Sequence, residues 1–201
     1  MKRLPPAFYR QDCLSLAQAL LGKYLVREQN GERLVCRITE TEGYLGVTDR
    51  ACHTYGDRRT ARTEVMYWEG GYAYVYLIYG MYCCLNVVAQ EKGEPCAVLL
   101  RGGEPAEGRQ TMARLRYQKP WEELTAGQKR HLADGPGKLC RALNVTRAQN
   151  GVFLPEGILT IEEKEGEALP AFRTGPRVNV DYAGEDAQKP WRFVLIKENE
   201  A

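Results

Sequence analysis

One acidic side chain in the first quarter of this chain stands where a catalytic base would be expected. Glu42 closes a stretch of alternating residues and is followed by Gly43 and Tyr44. A carboxylate at the end of a half-buried strand, beside an aromatic ring, is shielded from water, which raises its pKa and fixes its orientation. Glu42 is therefore a candidate general base. A plain ion pair between Glu40 or Glu42 and a nearby arginine explains the same position.

A tyrosine-rich run, YAYVYLIYGMYCCLN over residues 72–86, supplies aromatic rings and ends on Asn86. Its period-2 alternation predicts a strand, and Gly80 predicts a turn that directs Tyr79 outward. Flat rings of this kind suit stacking on unpaired nucleobases. The alternative is a tyrosine-lined sheet face that is packed into the core.

A basic loop follows Glu42 in the chain and contains Arg58, Arg59 and Arg62 together with threonines. Such a loop favours contact with phosphate, although a cluster of charges is more often a solvated surface. The segment GPGK at residues 135–138 permits two similar interpretations. It is either a phosphate-binding helix start or an ordinary helix N-terminus.

The elements that must position these residues can be predicted from the pattern of apolar positions. Asp12 is a plausible N-cap for a helix, and residues 33–42 alternate strictly, with Leu34, Cys36, Ile38, Glu40 and Glu42 on one face. Further strands are predicted over residues 72–77, 85–89, 96–100, 152–154, 159–162, 176–180 and 192–196, with helix-prone residues 103–134 between them. Because short turns join the strands, we predict one α+β domain over residues 1–201, with a mainly antiparallel sheet flanked by helices.

The composition limits the classes of function. A net charge of +2 over 201 residues is well below the basic balance that indicates nonspecific nucleic-acid binding, so any basic surface must be local. Seven scattered cysteines without a C-x-x-C pair, and two histidines, argue against disulfides, zinc and iron–sulfur clusters. We therefore expect no metal and no cofactor. No apolar stretch is long enough for a signal peptide or a membrane span, which predicts a soluble, intracellular protein.

Seven segments in the same order resemble the alkyladenine family of 3-methyladenine DNA glycosylases, from about residue 8 to residue 196. They are ETEGYLG (40–46), CH (52–53), RRTART (58–63), YVYLIYGMYCCLNV (74–87), AVLLRGGEP (97–105), GPGKLCRAL (135–143) and PRVNVDYAGE (176–185). The resemblance implies a monomeric, DNA-associated repair enzyme that flips and excises alkylated or deaminated purines from duplex DNA. It also implies a single mixed domain whose β-hairpin inserts into the minor groove.

The resemblance assigns roles to matching residues. Glu42 corresponds to the base that activates water, and Arg101 to the arginine that helps to hold this water and contacts the DNA backbone. The pocket residues correspond to Tyr44 and His53 on one wall, Tyr76 on the other, and Asn86 as a filter against guanine. Tyr79 corresponds to the wedge that fills the gap in the duplex, and Arg58 to a DNA-contacting arginine of the same loop. We expect Arg62, from the same basic loop, to contact the DNA backbone as well. The chain departs from the family pattern at Gly43, in residues 55–57, and at Asn179 and Asp181.

Competing interpretations remain open at the level of sequence. A module that binds single-stranded nucleic acid without chemistry would use the same tyrosines and arginines. A bifunctional glycosylase and lyase would use Lys138 as an amine nucleophile. A zinc-dependent base deaminase does not fit, because the chain lacks the H-x-E and C-x-x-C signature.

Overall fold

The chain forms strands, α-helices and short 3₁₀ segments within residues 1–196, the part that this computed structural model describes. The strands are β1 (Lys2–Arg3), β2 (Tyr24–Gln29), β3 (Glu32–Tyr44), β4 (Ala73–Ile78), β5 (Tyr82–Ala89), β6 (Cys96–Glu107), β7 (Leu159–Glu163), β8 (Phe172–Gly175) and β9 (Arg192–Leu195). The α-helices are α1 (Cys13–Ala19), α2 (Arg109–Tyr117), α3 (Ala126–Arg130) and α4 (Pro136–Ala142).

The strands form one sheet in the order β1-β7-β2-β3-β6-β5-β4, and every pair is antiparallel. The long strand β3 is the centre of the sheet. On one edge its first half pairs with β2 and its last residues pair with β9, which in turn pairs with β8. The C-terminal part of the chain is thereby brought beside residues 40–42. The prediction of an α+β fold with a mainly antiparallel sheet is confirmed.

Two hairpin turns contain residues with a positive φ. Asn30 and Gly31, at φ 50° and 76°, join β2 to β3, which is the turn chemistry that tight hairpins favour. Tyr79 and Gly80, at φ 51° and 70°, form the turn between β4 and β5. Tyrosine rarely adopts this conformation, and such outliers concentrate at functional sites. The β4–β5 hairpin therefore carries an unusual residue at its tip.

The core lies on one face of the sheet, between the strands and the helices. Asp12 caps α1 by accepting hydrogen bonds from the N–H groups of Leu14 and Ser15, as the sequence predicted. Leu16 and Ala17 of α1 and Leu139 of α4 belong to a continuous apolar cluster with alternate residues of β3, β4, β5 and β6. On the opposite face of β4, β5 and β6, Tyr74, Val88 and Ala97 belong to a second, smaller apolar cluster.

The strict alternation predicted for residues 33–42 is wrong at its end. The pairing of β3 with β6 shifts register on both sides of Glu40, which is a β-bulge. Ile38 lies in the core, but beyond the bulge it is Thr41 that faces α1, where its hydroxyl donates to the Ala17 carbonyl oxygen at 2.7 Å. Glu40 and Glu42 consequently point away from the apolar face that they were predicted to continue.

Other boundaries also differ from the predictions. Strand β6 was predicted over residues 96–100 but runs to Glu107, so it includes the first residues of the segment predicted as helical. Residues 152–154 contribute only an isolated bridge, between Phe153 and Tyr72. Residues 176–180 form no strand, because the strand that pairs with β9 lies earlier, in β8. The last five residues of the predicted domain, 197–201, lie outside the described part.

Candidate active site

The Glu42 carboxylate is fully buried and is held at both oxygens. The Val178 backbone N–H donates to Oε1 at 2.8 Å, and the Tyr44 hydroxyl donates to Oε2 at 2.9 Å. Arg101 Nε lies 3.4 Å from Oε1. These contacts come from β3, from β6 and from the loop after β8, so the site exists only when the sheet is assembled.

The burial of Glu42 changes its acidity. Desolvation raises the pKa of Glu42 above its ordinary value, while Arg101, the Val178 N–H and the Tyr44 hydroxyl counteract the rise by favouring the carboxylate. A carboxylate with a raised pKa is a stronger base than an exposed one. The geometry and the acidity of Glu42 both suit it to accept a proton from water.

A second carboxylate lies beside the first. Glu40 Oε1 accepts hydrogen bonds from Arg101 Nε at 3.0 Å and from Arg192 Nε at 2.6 Å. An ion pair with arginine, the alternative to a catalytic base in the sequence analysis, therefore describes Glu40. Arg192 was not predicted from the sequence, because only the pairing of β9 with β3 brings it opposite Glu42.

A cavity of about 220 Å³ opens on the sheet face opposite the core. Its lining includes the residues predicted for the base pocket, together with Arg101 and the hairpin tip; these are Tyr44, His53, Tyr76, Tyr79, Asn86 and Arg101. Glu42 lies directly behind this lining, since Tyr44, Arg101 and Val178 contact the carboxylate and also line the cavity. The structure thus brings together residues that are far apart in the sequence.

Three rings in the cavity contact one another. The His53 and Tyr76 ring centroids are 4.6 Å apart in an edge-to-face arrangement, and the Tyr74 and Tyr76 centroids are 5.2 Å apart. His53 Nδ1 forms a hydrogen bond of 2.9 Å with the Tyr74 hydroxyl. Burial, assisted by the positive charge of Arg62, lowers the pKa of His53 to about 4. The His53 ring is therefore neutral at physiological pH.

Asn86 is anchored in the wall of the cavity. It is 4% exposed, and its Nδ2 donates to the Tyr74 carbonyl oxygen at 3.0 Å. The two residues face each other across β4 and β5. This bond fixes the amide, so that its position relative to a ligand would be constant.

Tyr79 stands at the tip of the β4–β5 hairpin and is 80% exposed, as Gly80 led us to expect. The neighbouring Met81 is 69% exposed. A large apolar ring that is held out in water by an unfavourable backbone conformation has no evident role in stability. Tyr79 lines the same cavity as Asn86 and Arg101.

The arginines of the basic loop differ in their surroundings. Arg59 forms a two-pronged ion pair with Glu64, at 2.9 and 2.7 Å. Arg58 and Arg62, together with Arg50, line a second cavity of about 410 Å³ beside the first. The Arg62 guanidinium also lies over the Tyr76 ring, 4.9 Å from its centroid. Arg59 is thus neutralised within the loop, whereas Arg58 and Arg62 face the cavities.

A buried ion pair supports the site and was missed by the sequence analysis. Arg177 donates to both oxygens of Asp49 and to the Gly43 carbonyl oxygen, and its guanidinium stacks on the Tyr44 ring at 4.7 Å. It thereby fixes the Tyr44 ring and positions the Val178 N–H beside Glu42. No local pattern indicates such a pair, because the partners are far apart in the chain.

Two of the departures from the family pattern, Gly43 and Asn179, have local explanations. A side chain added at Gly43 would place its Cβ 2.7 Å from Leu14 Cδ2, so Leu14 of α1 already fills that space. Asn179 has φ 59°, in the left-handed region that asparagine tolerates better than most residues. Both departures leave the contacts to Glu42 in place.

A model of the methylpurine-DNA glycosylase family matches residues 7–199. The chain belongs to the methylpurine-DNA glycosylase family. It is 47% identical over 195 residues to a protein of Desulfitobacterium hafniense, covering 97% of this chain and 96% of that protein. It is 48% identical over 194 residues to a protein of Methanocella arvoryzae, covering 96% and 92%. Both relatives are named "Putative 3-methyladenine DNA glycosylase".

Membership of this family confirms the resemblance and identifies the chain as a DNA N-glycosylase, a DNA repair enzyme whose substrate is DNA. None of the helices within residues 1–196 is long and apolar enough to cross a membrane. In the same residues, no three His, Cys, Asp or Glu side chains are grouped as metal ligands.

Proposed function

We propose that this methylpurine-DNA glycosylase acts as a monomer on duplex DNA and hydrolyses the N-glycosidic bond of 3-methyladenine and related damaged purines, including 7-methylguanine and hypoxanthine. The product is an abasic site. The buried Glu42, held by Val178 and Tyr44 directly behind an aromatic cavity, carries the proposal. The names of the relatives support 3-methyladenine as a substrate.

The aromatic cavity would receive the damaged base after it leaves the duplex. Flipping costs a few kcal/mol, and the cost is lowest for damaged or mispaired bases. Stacking on aromatic side chains returns about 1–3 kcal/mol, and a cationic methylated purine gains about 1 kcal/mol more from cation–π attraction. Because His53 and Tyr76 touch, a base that stacks between them requires one ring to rotate.

Hydrolysis then requires a nucleophile and a leaving group. Glu42 accepts a proton from water, which attacks C1′ as the bond to the base breaks, and the carboxylate steadies the oxocarbenium-like sugar. Arg101 helps to hold the water. A methylated, cationic purine departs without further protonation, whereas neutral hypoxanthine needs a hydrogen bond or a proton.

The β4–β5 hairpin and the basic loop would bind the DNA. In this proposal the hairpin enters the minor groove and Tyr79 fills the gap that the flipped nucleotide leaves. Arg58 and Arg62 contact the phosphate backbone beside the cavity. Their positions on one side of the cavity mouth support this arrangement.

Glu42→Gln tests the proposal with a nearly isosteric change. We expect binding to damaged DNA to persist while single-turnover excision falls by at least about 100-fold, because a positioned base contributes roughly 10²–10⁴. Glu163→Gln, which makes the same change at an ion pair with Lys23 elsewhere on the sheet, serves as the control and retains excision. Excision by Glu42→Gln at the rate of this control would contradict the proposed mechanism.

A further inference from the structure

Arg101 lies between two carboxylates and is shared unequally. Its Nε donates to Glu40 Oε1 at 3.0 Å but is 3.4 Å from Glu42 Oε1. Glu40 also receives Arg192, whereas the hydrogen bonds to Glu42 come from the uncharged donors Val178 and Tyr44. Arg101 thus pairs more closely with Glu40, which has no assigned role, than with the candidate base Glu42.

This unequal sharing has a chemical consequence. A buried carboxylate that pairs fully with a guanidinium is stabilised in its charged form and becomes a weaker base. With Nε engaged by Glu40, the hydrogen bonds that Arg101 can offer to the cavity come from its two Nη nitrogens. Glu40 therefore affects both the basicity of Glu42 and the orientation of Arg101.

We propose that Glu40 is a positioning residue for the glycosylase reaction: it holds Arg101 through Nε and so prevents Arg101 from forming a full ion pair with Glu42. Arg192 fixes Glu40 in this position from β9. This inference rests on the proposed role of Glu42 as the general base. It adds a second carboxylate, in contact with Arg101 and Arg192, to the groups on which the reaction depends.

Other titratable or charged groups also face Glu42, but none of them is a negative charge that competes with Glu42 for Arg101. These groups are Tyr44, Cys84, Arg101, Arg177 and Tyr182. Arg177 is committed to Asp49, and burial raises the pKa values of Tyr44, Cys84 and Tyr182, so these three remain neutral at physiological pH. Glu40 is thus the negative charge that competes with Glu42 for Arg101.

The test measures the pH dependence of the single-turnover release of 3-methyladenine from methylated duplex DNA, with enzyme in saturating excess. This leaving base is already cationic, so the acid limb of the profile follows Glu42. In Glu40→Gln, Arg101 is free to pair with Glu42. We expect the acid limb to move to lower pH and the plateau rate to fall by about tenfold, less than the loss of the base itself.

Arg192→Gln is the matched variant, because it removes a positive charge from the same cluster and leaves Glu40 ionised. Its acid limb is expected to move to higher pH, because the loss of a positive charge beside Glu40 and Glu42 disfavours the charged form of the Glu42 carboxyl group. Opposite movements of the two limbs support the inference. A merely structural role would lower the folded fraction, measured by thermal unfolding, without moving either limb.

Two results would overturn the inference: acid limbs that do not move, or limbs that move in the same direction. An acid limb that does not move can be observed with Glu40→Gln alone or with Arg192→Gln alone. The test therefore remains decisive if one of the two variants fails to fold. Glu42→Gln shows whether the inference about Glu40 is wrong or the proposed function itself is wrong. If Glu42→Gln retains excision, Glu42 is not the base; if it loses excision while the limbs of the other variants stay fixed, only the role of Glu40 is wrong.

Discussion

We predict that Asn86, a single polar side chain in the cavity wall, selects among purines. Its amide is buried and bonded to the Tyr74 carbonyl oxygen, so it cannot easily turn away from a ligand. Guanine carries an exocyclic 2-amino group that adenine and hypoxanthine lack. If the fixed Asn86 side chain lies where this 2-amino group would be placed, it rejects guanine by steric contact and leaves the amino group without a hydrogen-bond partner.

Replacing Asn86 with Ser or Ala should therefore raise the release of normal guanine relative to hypoxanthine. The measurement compares single-turnover release of the two bases from otherwise identical duplexes. Because the Tyr74 carbonyl oxygen also loses a hydrogen bond, the variants should unfold at a lower temperature by an amount equivalent to about 1 kcal/mol. An unchanged ratio of guanine to hypoxanthine release would rule out the filter.

His53 contributes a neutral ring to the same cavity. Its pKa of about 4 means that the ring is charged only under acidic conditions, below the range in which the enzyme would work. Nδ1 bonds the Tyr74 hydroxyl, and Nε2 lies 3.4 Å from the Arg62 guanidinium. A neutral histidine does not repel a cationic purine, whereas an imidazolium would.

The β4–β5 hairpin is the element on which capture of the flipped nucleotide would depend. Its strands are held in register by six residue pairs, from Ala73 with Val87 to Ile78 with Tyr82. A regular hairpin can support an exposed tip without contacts at the tip itself. The strain at Tyr79 is thereby balanced by the pairing below it.

We expect Tyr79→Ala to weaken binding to lesion DNA and to slow excision, because the ring would no longer oppose the return of the base to the stack. The lost stacking corresponds to about 1–3 kcal/mol. Tyr79→Phe keeps the ring and should behave like the wild type in fluorescence anisotropy and single-turnover assays. Equal affinity and equal rate for the Ala and Phe variants would assign Tyr79 a role other than a wedge.

The basic loop offers a matched pair of arginines for testing DNA contact. Arg58→Gln should weaken binding about equally for all sequences and reduce the slope of log affinity against log salt by about one, because one phosphate contact is lost. Arg59→Gln removes the same charge from a residue that is already paired with Glu64 and should change the slope less. Equal slopes for the two variants would remove Arg58 from the set of phosphate contacts.

At the scale of the whole molecule, the arrangement favours a glycosylase without lyase activity. Lys138 Nζ forms an ion pair of 2.9 Å with Asp134, and Lys138 is absent from the described residues that line the cavity. An amine that forms a Schiff base must be deprotonated and close to C1′. A module that only binds nucleic acid is disfavoured as well. The negative charge of Glu42 near the phosphates would weaken binding to nucleic acid without any benefit if Glu42 had no catalytic role.

The product DNA should therefore carry an abasic site in an intact strand. We expect no nick on a denaturing gel without alkali, no adduct after borohydride treatment, and full activity in EDTA, because the nucleophile is water held by Glu42 and Arg101. A borohydride adduct that disappears in Lys138→Ala would support the lyase alternative. Loss of activity in EDTA that a divalent cation restores would indicate a metal requirement.

The sequence by itself determined the elements that depend on local chemistry. The Asp12 cap, the Asn30–Gly31 turn and the outward position of Tyr79 follow from the conformational preferences of single residues and their neighbours. The α+β class follows from a different local property, the spacing of apolar residues along the chain. The family, with Glu42 as a candidate base, was recognisable because its segments occur in a fixed order.

Only the tertiary structure decided how the site is assembled. The bulge at Glu40 depends on pairing with β6, and it reverses the faces that simple alternation assigns to Glu40 and Glu42. Arg192 and the Val178 N–H reach these carboxylates from a part of the chain more than 130 residues away. Hydrogen bonds and charge pairs act over a few ångströms in space, irrespective of separation in sequence, so no local pattern can reveal them.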